Sequence, residues 1–281
     1  MISIKKVLML FAFLSQVFYL QAKVKVAKNI NYTDKDEVSR QLNVYYQKDI
    51  TKAKDVIVFI HGGSWSSGKK DIYWWLGRNF ARKGVVTVNI NYGLAPDNEF
   101  GQMANDCALA VKWVQGHIAA YGGNPERIFL MGHSAGGHLA ELINADPRYF
   151  QQAGIAVNPI KGVILDDAFG LDMKEYMTTA EHDGSYIDFL RTFTSDPLSW
   201  EKGSPLHYER YIKNPHLIFY GEKTYPAIQI QSARLQHILQ TAGVPSSLQI
   251  IKGKKHVGMI SQMVLGGNQL YKEIIAFLNK S

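Results

Sequence analysis

A chain of 281 residues, 46% hydrophobic and 20% charged, has a globular composition and is long enough for one large α/β domain or two small ones. Its formal charge of +7 is scattered, and the tightest basic cluster, Lys252-Gly253-Lys254-Lys255, is too short for a nucleic-acid-binding face. The single cysteine, Cys107, excludes an intramolecular disulfide and, placed within a helical pattern, reads as a buried thiol.

The chain opens with Lys5 and Lys6, an apolar stretch from Val7 to Leu20, and Ala22 before Lys23. A basic start, a short apolar run and a small residue form a secretory signal peptide, with cleavage expected after Ala22. Ser15 and Gln16 interrupt the run, which falls short of the roughly 20 apolar residues of a membrane span. The mature chain is therefore expected to be secreted or periplasmic, without a stable membrane anchor.

Beyond the leader, residues 40–46 alternate like a strand, and 55–60 (DVIVFI) and 85–90 (VVTVNI) are continuous β-branched runs typical of strands buried on both faces. Between them, residues 73–84 have helical spacing and stop at Gly84; a second helical stretch, 102–122, also ends on glycine. Strand signals recur at 127–131, 162–165, 216–220 and 247–251, and helical ones at 227–243 and 266–280. Such alternation predicts one α/β domain, residues 23–281, with a parallel sheet covered on both faces. Residues 168–214 break the alternation. They are too long for a simple crossover and are expected to add a cap over the carboxyl edge of the sheet, where open α/β folds bind ligands.

The densest chemical signal is Gly132-His133-Ser134-Ala135-Gly136, set between the strand 127–131 and a helix-like run. A sharp strand-to-helix turn presents a serine at the top of the sheet, and small residues two positions either side prevent backbone collision. Ser134 is thus the candidate nucleophile. A serine hydroxyl needs a base, which in this architecture follows the last strand. His256, in the expected loop after residues 247–251, fills that place, whereas His133 and His138 sit on the elbow itself and cannot swing round to Ser134. The glycine loop at 61–64, following strand 55–60, offers the amides of Gly63 and Ser64. With that of Ala135 they can form an oxyanion hole, each donor contributing about 3 kcal/mol to the transition state.

The segments HGGSW, VNINYGLAP, YGGNPERIFLMGHSAGGHLA and GKKH together resemble the α/β-hydrolase esterases related to hormone-sensitive lipase, in a branch with kynurenine formamidase-like and other small carboxylesterases. The resemblance covers nearly all of the mature chain. It implies a mostly parallel sheet of about eight strands, helices on both faces, and a Ser–acid–His hydrolase of small esters or arylformamides that uses no metal or organic cofactor. Two positions depart from the family pattern. An arginine is replaced by Gly93, and the usual acid after the penultimate strand is replaced by Thr224.

Three sources of an acid are therefore open: Asp166 or Asp167 at the end of strand 162–165, Glu222 two residues before Thr224, or none. Asp167 is the expected partner of His256, because its strand ends at the same edge as the elbow. Without an acid, the chain would be a catalytically impaired binding protein. The aromatic residues Trp65, Trp74, Trp75, Tyr186, Phe189, Trp200 and Tyr208 are candidates for gripping an aryl or sugar-linked acyl group, or for the core.

Overall fold

A computed structural model describes residues 23–34, 36–48 and 52–281. Eight strands run through the chain: β1 (Val24–Asn31), β2 (Gln41–Gln47), β3 (Lys54–Ile60), β4 (Val86–Ile90), β5 (Gly123–His133), β6 (Ile160–Asp166), β7 (His216–Gly221) and β8 (Ser246–Ile251). They form one sheet in the order β1-β2-β4-β3-β5-β6-β7-β8. The β1/β2 and β2/β4 pairs are antiparallel, and β4 through β8 are parallel. The strands at the centre are those with continuous apolar runs. Val56 to Ile60 of β3 and Ile128 to Met131 of β5 are fully buried, as expected for strands covered on both faces.

On one face lie the helices α1 (Trp74–Arg82) and, at the end of the chain, α10 (Gln269–Lys280). They bury Leu76, Phe80, Tyr271 and Ile274 against Ile57, Phe59, Phe129 and Met131. The other face carries α2 (Phe100–His117), α3 (Ala135–Ala145) and the short α4 (Pro147–Gln152), over Val56, Val58, Leu130 and Val163. Helix α2 begins with a capping box, in which Glu99 and Gln102 each accept from the other's backbone amide. Cys107 lies on this helix, fully buried, and burial pushes its thiol well up from the ordinary value.

Between β6 and β7 the chain forms three further helices, α5 (Met173–Thr179), α6 (Gly184–Phe193) and α7 (Pro197–Lys202). Each starts on an aspartate, Asp172, Asp183 or Asp196, whose carboxylate accepts a first-turn amide. Their apolar residues Met173, Met177, Phe189 and Phe193 belong to the same core as α2 and α3, so this segment is packed onto the domain. Helix α8 (Pro226–Thr241) follows β7, and α9 (His256–Ser261) follows β8. The expected leader, residues 1–22, lies outside the described residues. Among those described, no helix is long and apolar enough to cross a membrane.

Two short elements escape the sequence pattern. Strand β1 is an edge strand in which Ala27 and Asn29 interrupt alternation, and its register slips between Ala27 and Ile30. After β8 the expected loop is only residues 252–255, and His256 stands at its end as the first residue of α9.

Candidate active site

The site is assembled where β5, β6 and β8 end at the carboxyl edge. Strand β5 passes into α3 through Ser134, held at φ 56° and ψ −126°, a left-handed conformation that non-glycine residues rarely adopt. The flanking glycines make that turn possible. A Cβ on Gly132 would lie 2.2 Å from the Gly136 carbonyl oxygen, and one on Gly136 would lie 2.1 Å from the Ile60 carbonyl oxygen. The elbow is closed by hydrogen bonds from the Ser134 amide to the Asp166 carbonyl (3.2 Å) and from the His138 amide to the Ser134 carbonyl (3.1 Å).

Ser134 Oγ lies 2.8 Å from His256 Nε2, and His256 Nδ1 lies 2.6 Å from Asp167 Oδ2. A carboxylate only accepts, so Nδ1 carries the proton and Nε2 is left to accept that of Ser134. Asp167 follows the last residue of β6 at φ 53°, and this turn of the backbone aims its carboxylate along the sheet edge toward α9. Its Oδ1 accepts from the Gly221 amide at 2.8 Å, and its Oδ2 also accepts from the Thr224 hydroxyl. Asp167 is fully buried and Ser134 is 8% exposed.

The other two acid candidates are elsewhere. Glu222 turns away from the imidazole and accepts from the Gly253 amide at 2.8 Å. Asp166 is fully buried, and neither of its oxygens has a hydrogen-bond partner among the described residues. Burial, then the neighbouring Asp167, push its carboxyl well above the carboxylate range. Thr224, in the position where the resembling family carries an acid, donates to the acid that stands one strand away. Of the other departing position, the Gly93 amide donates to Asp106 (3.0 Å), which also accepts from Arg40 (2.9 Å).

Opposite Ser134, the loop after β3 runs through three successive residues with positive φ: Gly63 at 127°, Ser64 at 50° and Trp65 at 58°. Its turn is fixed by the Ser66 and Ser67 amides, which donate to the Gly63 carbonyl at 3.1 and 2.9 Å. A Cβ on Gly62 would approach Ser134 Cβ to 3.1 Å, so this backbone lies directly against the elbow. The Gly63, Ser64 and Ala135 amides donate to no backbone or side-chain group among the described residues.

Trp65 is fully buried and locks the loop. Its Nε1–H donates to His138 Nδ1 at 3.2 Å, and His138 Nε2–H donates to the Gly203 carbonyl at 2.7 Å. Loop, elbow helix and the segment after α7 are thus joined through one imidazole. Burial lowers the pKa of His138 to about 4, so it stays neutral. His133 has a similar value, set first by burial and then by His256.

A cavity of about 420 Å³ is lined by Phe169, Glu175, Tyr176, Ala180, Tyr225 and Ile230. The Tyr225 ring centroid is 5.2 Å from that of His256, and the Phe169 amide donates to the Ser134 carbonyl at 3.3 Å. The candidate aromatics are mostly elsewhere. Trp65, Tyr186, Phe189 and Trp200 are core residues, Trp74 is 55% exposed on α1, Trp75 packs on the α1/α10 side, and Tyr208 pairs with Arg148. Phe169, Tyr176 and Tyr225 carry no sequence signal of their own, because only the packing of α5 and α8 brings them together.

The sheet order, the nucleophile elbow after β5 and the connection of every site residue to a strand end define an α/β-hydrolase fold. Esterase B from Lactobacillus rhamnosis (HN001) shares this fold with a TM-score of 0.75, at 19% identity over 98% of this chain and 91% of that one. The chain belongs to the BD-FAE family, whose pattern matches residues 42–239. It is 26% identical, over 95% of its length, to a probable isoprenylcysteine alpha-carbonyl methylesterase of Oryza sativa subsp. japonica, and 29% identical, over 71%, to esterase LipC of Mycobacterium tuberculosis. It spans 66% and 51% of the lengths of these two relatives.

Proposed function

We propose that the protein is a serine hydrolase that cleaves small carboxylic esters through an acyl-enzyme. The observation that carries this reading is the unbroken chain Asp167–His256–Ser134, with contacts of 2.6 and 2.8 Å. Ser134 Oγ attacks the ester carbonyl carbon while its proton passes to His256 Nε2. Asp167 holds Nδ1–H and balances the imidazolium charge. The carbonyl oxygen, now negative, accepts from Ala135 and from Gly63 or Ser64 in a loop already held in shape. Collapse of the adduct releases the alcohol, which takes the proton from Nε2. Water then enters the same place, gives its proton to Nε2, and frees the acid and Ser134.

The complete chain weighs against a binding protein with an impaired triad. The apolar cavity lined by Tyr225 suits a neutral acyl or alcohol group, since Glu175 is paired with Arg234 at 2.7 Å. The named activities of the two relatives, both esterases, agree with this class. We place the enzyme outside the cytoplasm on the strength of the leader. Lys23 as the N-terminus of the native protein, read by mass spectrometry, supports export, and an intact Met1 contradicts it. The activity is tested with short p-nitrophenyl esters. Ser134→Ala is expected to abolish turnover above background, and wild-type turnover by that variant would refute the proposal.

A further inference from the structure

Behind the elbow lies a second pair of polar side chains. His133 and Asp166 are register partners on β5 and β6, so their side chains leave the sheet on the same face. Both are buried, at 5% and 0% exposure. His133 Nε2 lies 3.3 Å from the His256 carbonyl oxygen, and the two imidazole rings stack at 4.9 Å and 26°. A carbonyl only accepts, so the proton of His133 is on Nε2, and Nδ1 is an unprotonated acceptor. That Nδ1 and both carboxyl oxygens of Asp166 have no partner among the described residues. Buried polar atoms left over on one face of a sheet are the usual setting of a bound water.

Resting on the esterase reading above, we infer that His133 and Asp166 are positioning residues for His256. Neutral Asp166 donates its O–H to a buried water, the water donates to His133 Nδ1, and His133 Nε2–H fixes the carbonyl of His256. The charges agree with this assignment. Burial, then His256, lowers the pKa of His133, and burial, then Asp167, raises that of Asp166. A second carboxylate beside Asp167 would face like charge with no donor. A protonated one supplies a donor where an acceptor waits. A neutral His133 likewise places no positive charge beneath the imidazolium that forms on His256 during turnover.

Two pairs of variants test the chain, each scored as kcat and KM on p-nitrophenyl acetate per Ser134 labelled by a fluorophosphonate. Asp166→Asn keeps a neutral polar group and Asp166→Leu removes it. His133→Gln keeps a donor near Nε2 and His133→Phe keeps only a ring. Asp166→Leu and His133→Phe are each expected to lose about ten-fold in kcat with little change in KM, the double variant losing no more than either alone. Asp166→Asn and His133→Gln are expected to stay within about three-fold of wild type, with the acid limb of kcat/KM unmoved.

Stability adds an independent reading. A carboxyl held neutral by the fold costs stability as pH rises above about 4, where the unfolded chain ionises it. Asp166→Asn should therefore gain in Tm relative to wild type from pH 4 to pH 8. Wild-type kcat in Asp166→Leu or His133→Phe, or a shifted acid limb in Asp166→Asn, would overturn the inference. Failure of the wild-type enzyme to label or turn over would instead refute the esterase reading.

Discussion

Strands β6 and β7 are neighbours, run parallel and end at the same edge of the sheet, and both are followed by a carboxylic acid. At the end of β6, positive φ at Asp167 turns its carboxylate along the edge, where three donors converge on it: the Gly221 amide, the Thr224 hydroxyl and His256 Nδ1. At the end of β7, Glu222 follows the strand outward and is taken up by the Gly253 amide. Its longer side chain and its place beside the usual acid position do not bring it to the imidazole. The orientation of the backbone at the strand end decides which acid reaches the base.

Replacing each acid by its amide breaks or sharpens that contrast. Asp167→Asn is expected to lower kcat by about 10²- to 10⁴-fold, because the imidazole loses the carboxylate that fixes its tautomer and balances its charge. Thr224→Val removes one of three hydrogen bonds to the same carboxylate, worth about 1.5–3 kcal/mol for a charged acceptor. Only part of that reaches the transition state, so a loss of up to about ten-fold in kcat, with KM unchanged, is expected. Glu222→Gln should leave kcat within about two-fold. Steady-state kinetics on one short ester measures all three, and a large loss in Glu222→Gln beside a wild-type Asp167→Asn would move the acid to β7.

A smaller effect lies in stability. His61, His133 and His138 are buried, and burial lowers each to about 4 from an ordinary 6.5. Between those values the unfolded chain binds protons that the folded chain does not, so stability falls as pH drops from about 6.5 toward 4. His138→Gln, which cannot titrate, should lower the proton uptake on unfolding at pH 5.5 by about one proton relative to wild type, measured from the pH dependence of ΔG. An unchanged slope would show that His138 titrates alike in both states.

Much of this arrangement is legible in the residues alone. The runs at 56–60 and 128–131 are apolar throughout, and 85–90 is so but for Thr87 and Asn89, because they form the buried middle of the sheet. The glycines around Ser134 are spaced by a collision that any larger residue would suffer. What the chain does not announce depends on tertiary packing. The shared sheet edge favours Asp167 in the sequence, but the positive φ that turns its carboxylate comes from no glycine or asparagine signal. The six-residue helix that begins at His256 has no side-chain cap to mark it. The aromatic cavity joins Phe169, Tyr176 and Tyr225 from three separate segments, none of them periodic with another. Trp65, by contrast, sits in a recognisable HGGSW run, yet its bond to His138 fastens the glycine loop rather than gripping substrate.

The central claim is that Asp167 and His256 activate Ser134. The most direct measurement is the rate of covalent labelling by a fluorophosphonate, with the modified peptide mapped by mass spectrometry. The wild-type chain is expected to label at Ser134 alone, and both His256→Ala and Asp167→Asn to label at least about a hundred-fold more slowly. Wild-type labelling rates in both variants, or modification of a different residue, would contradict the account.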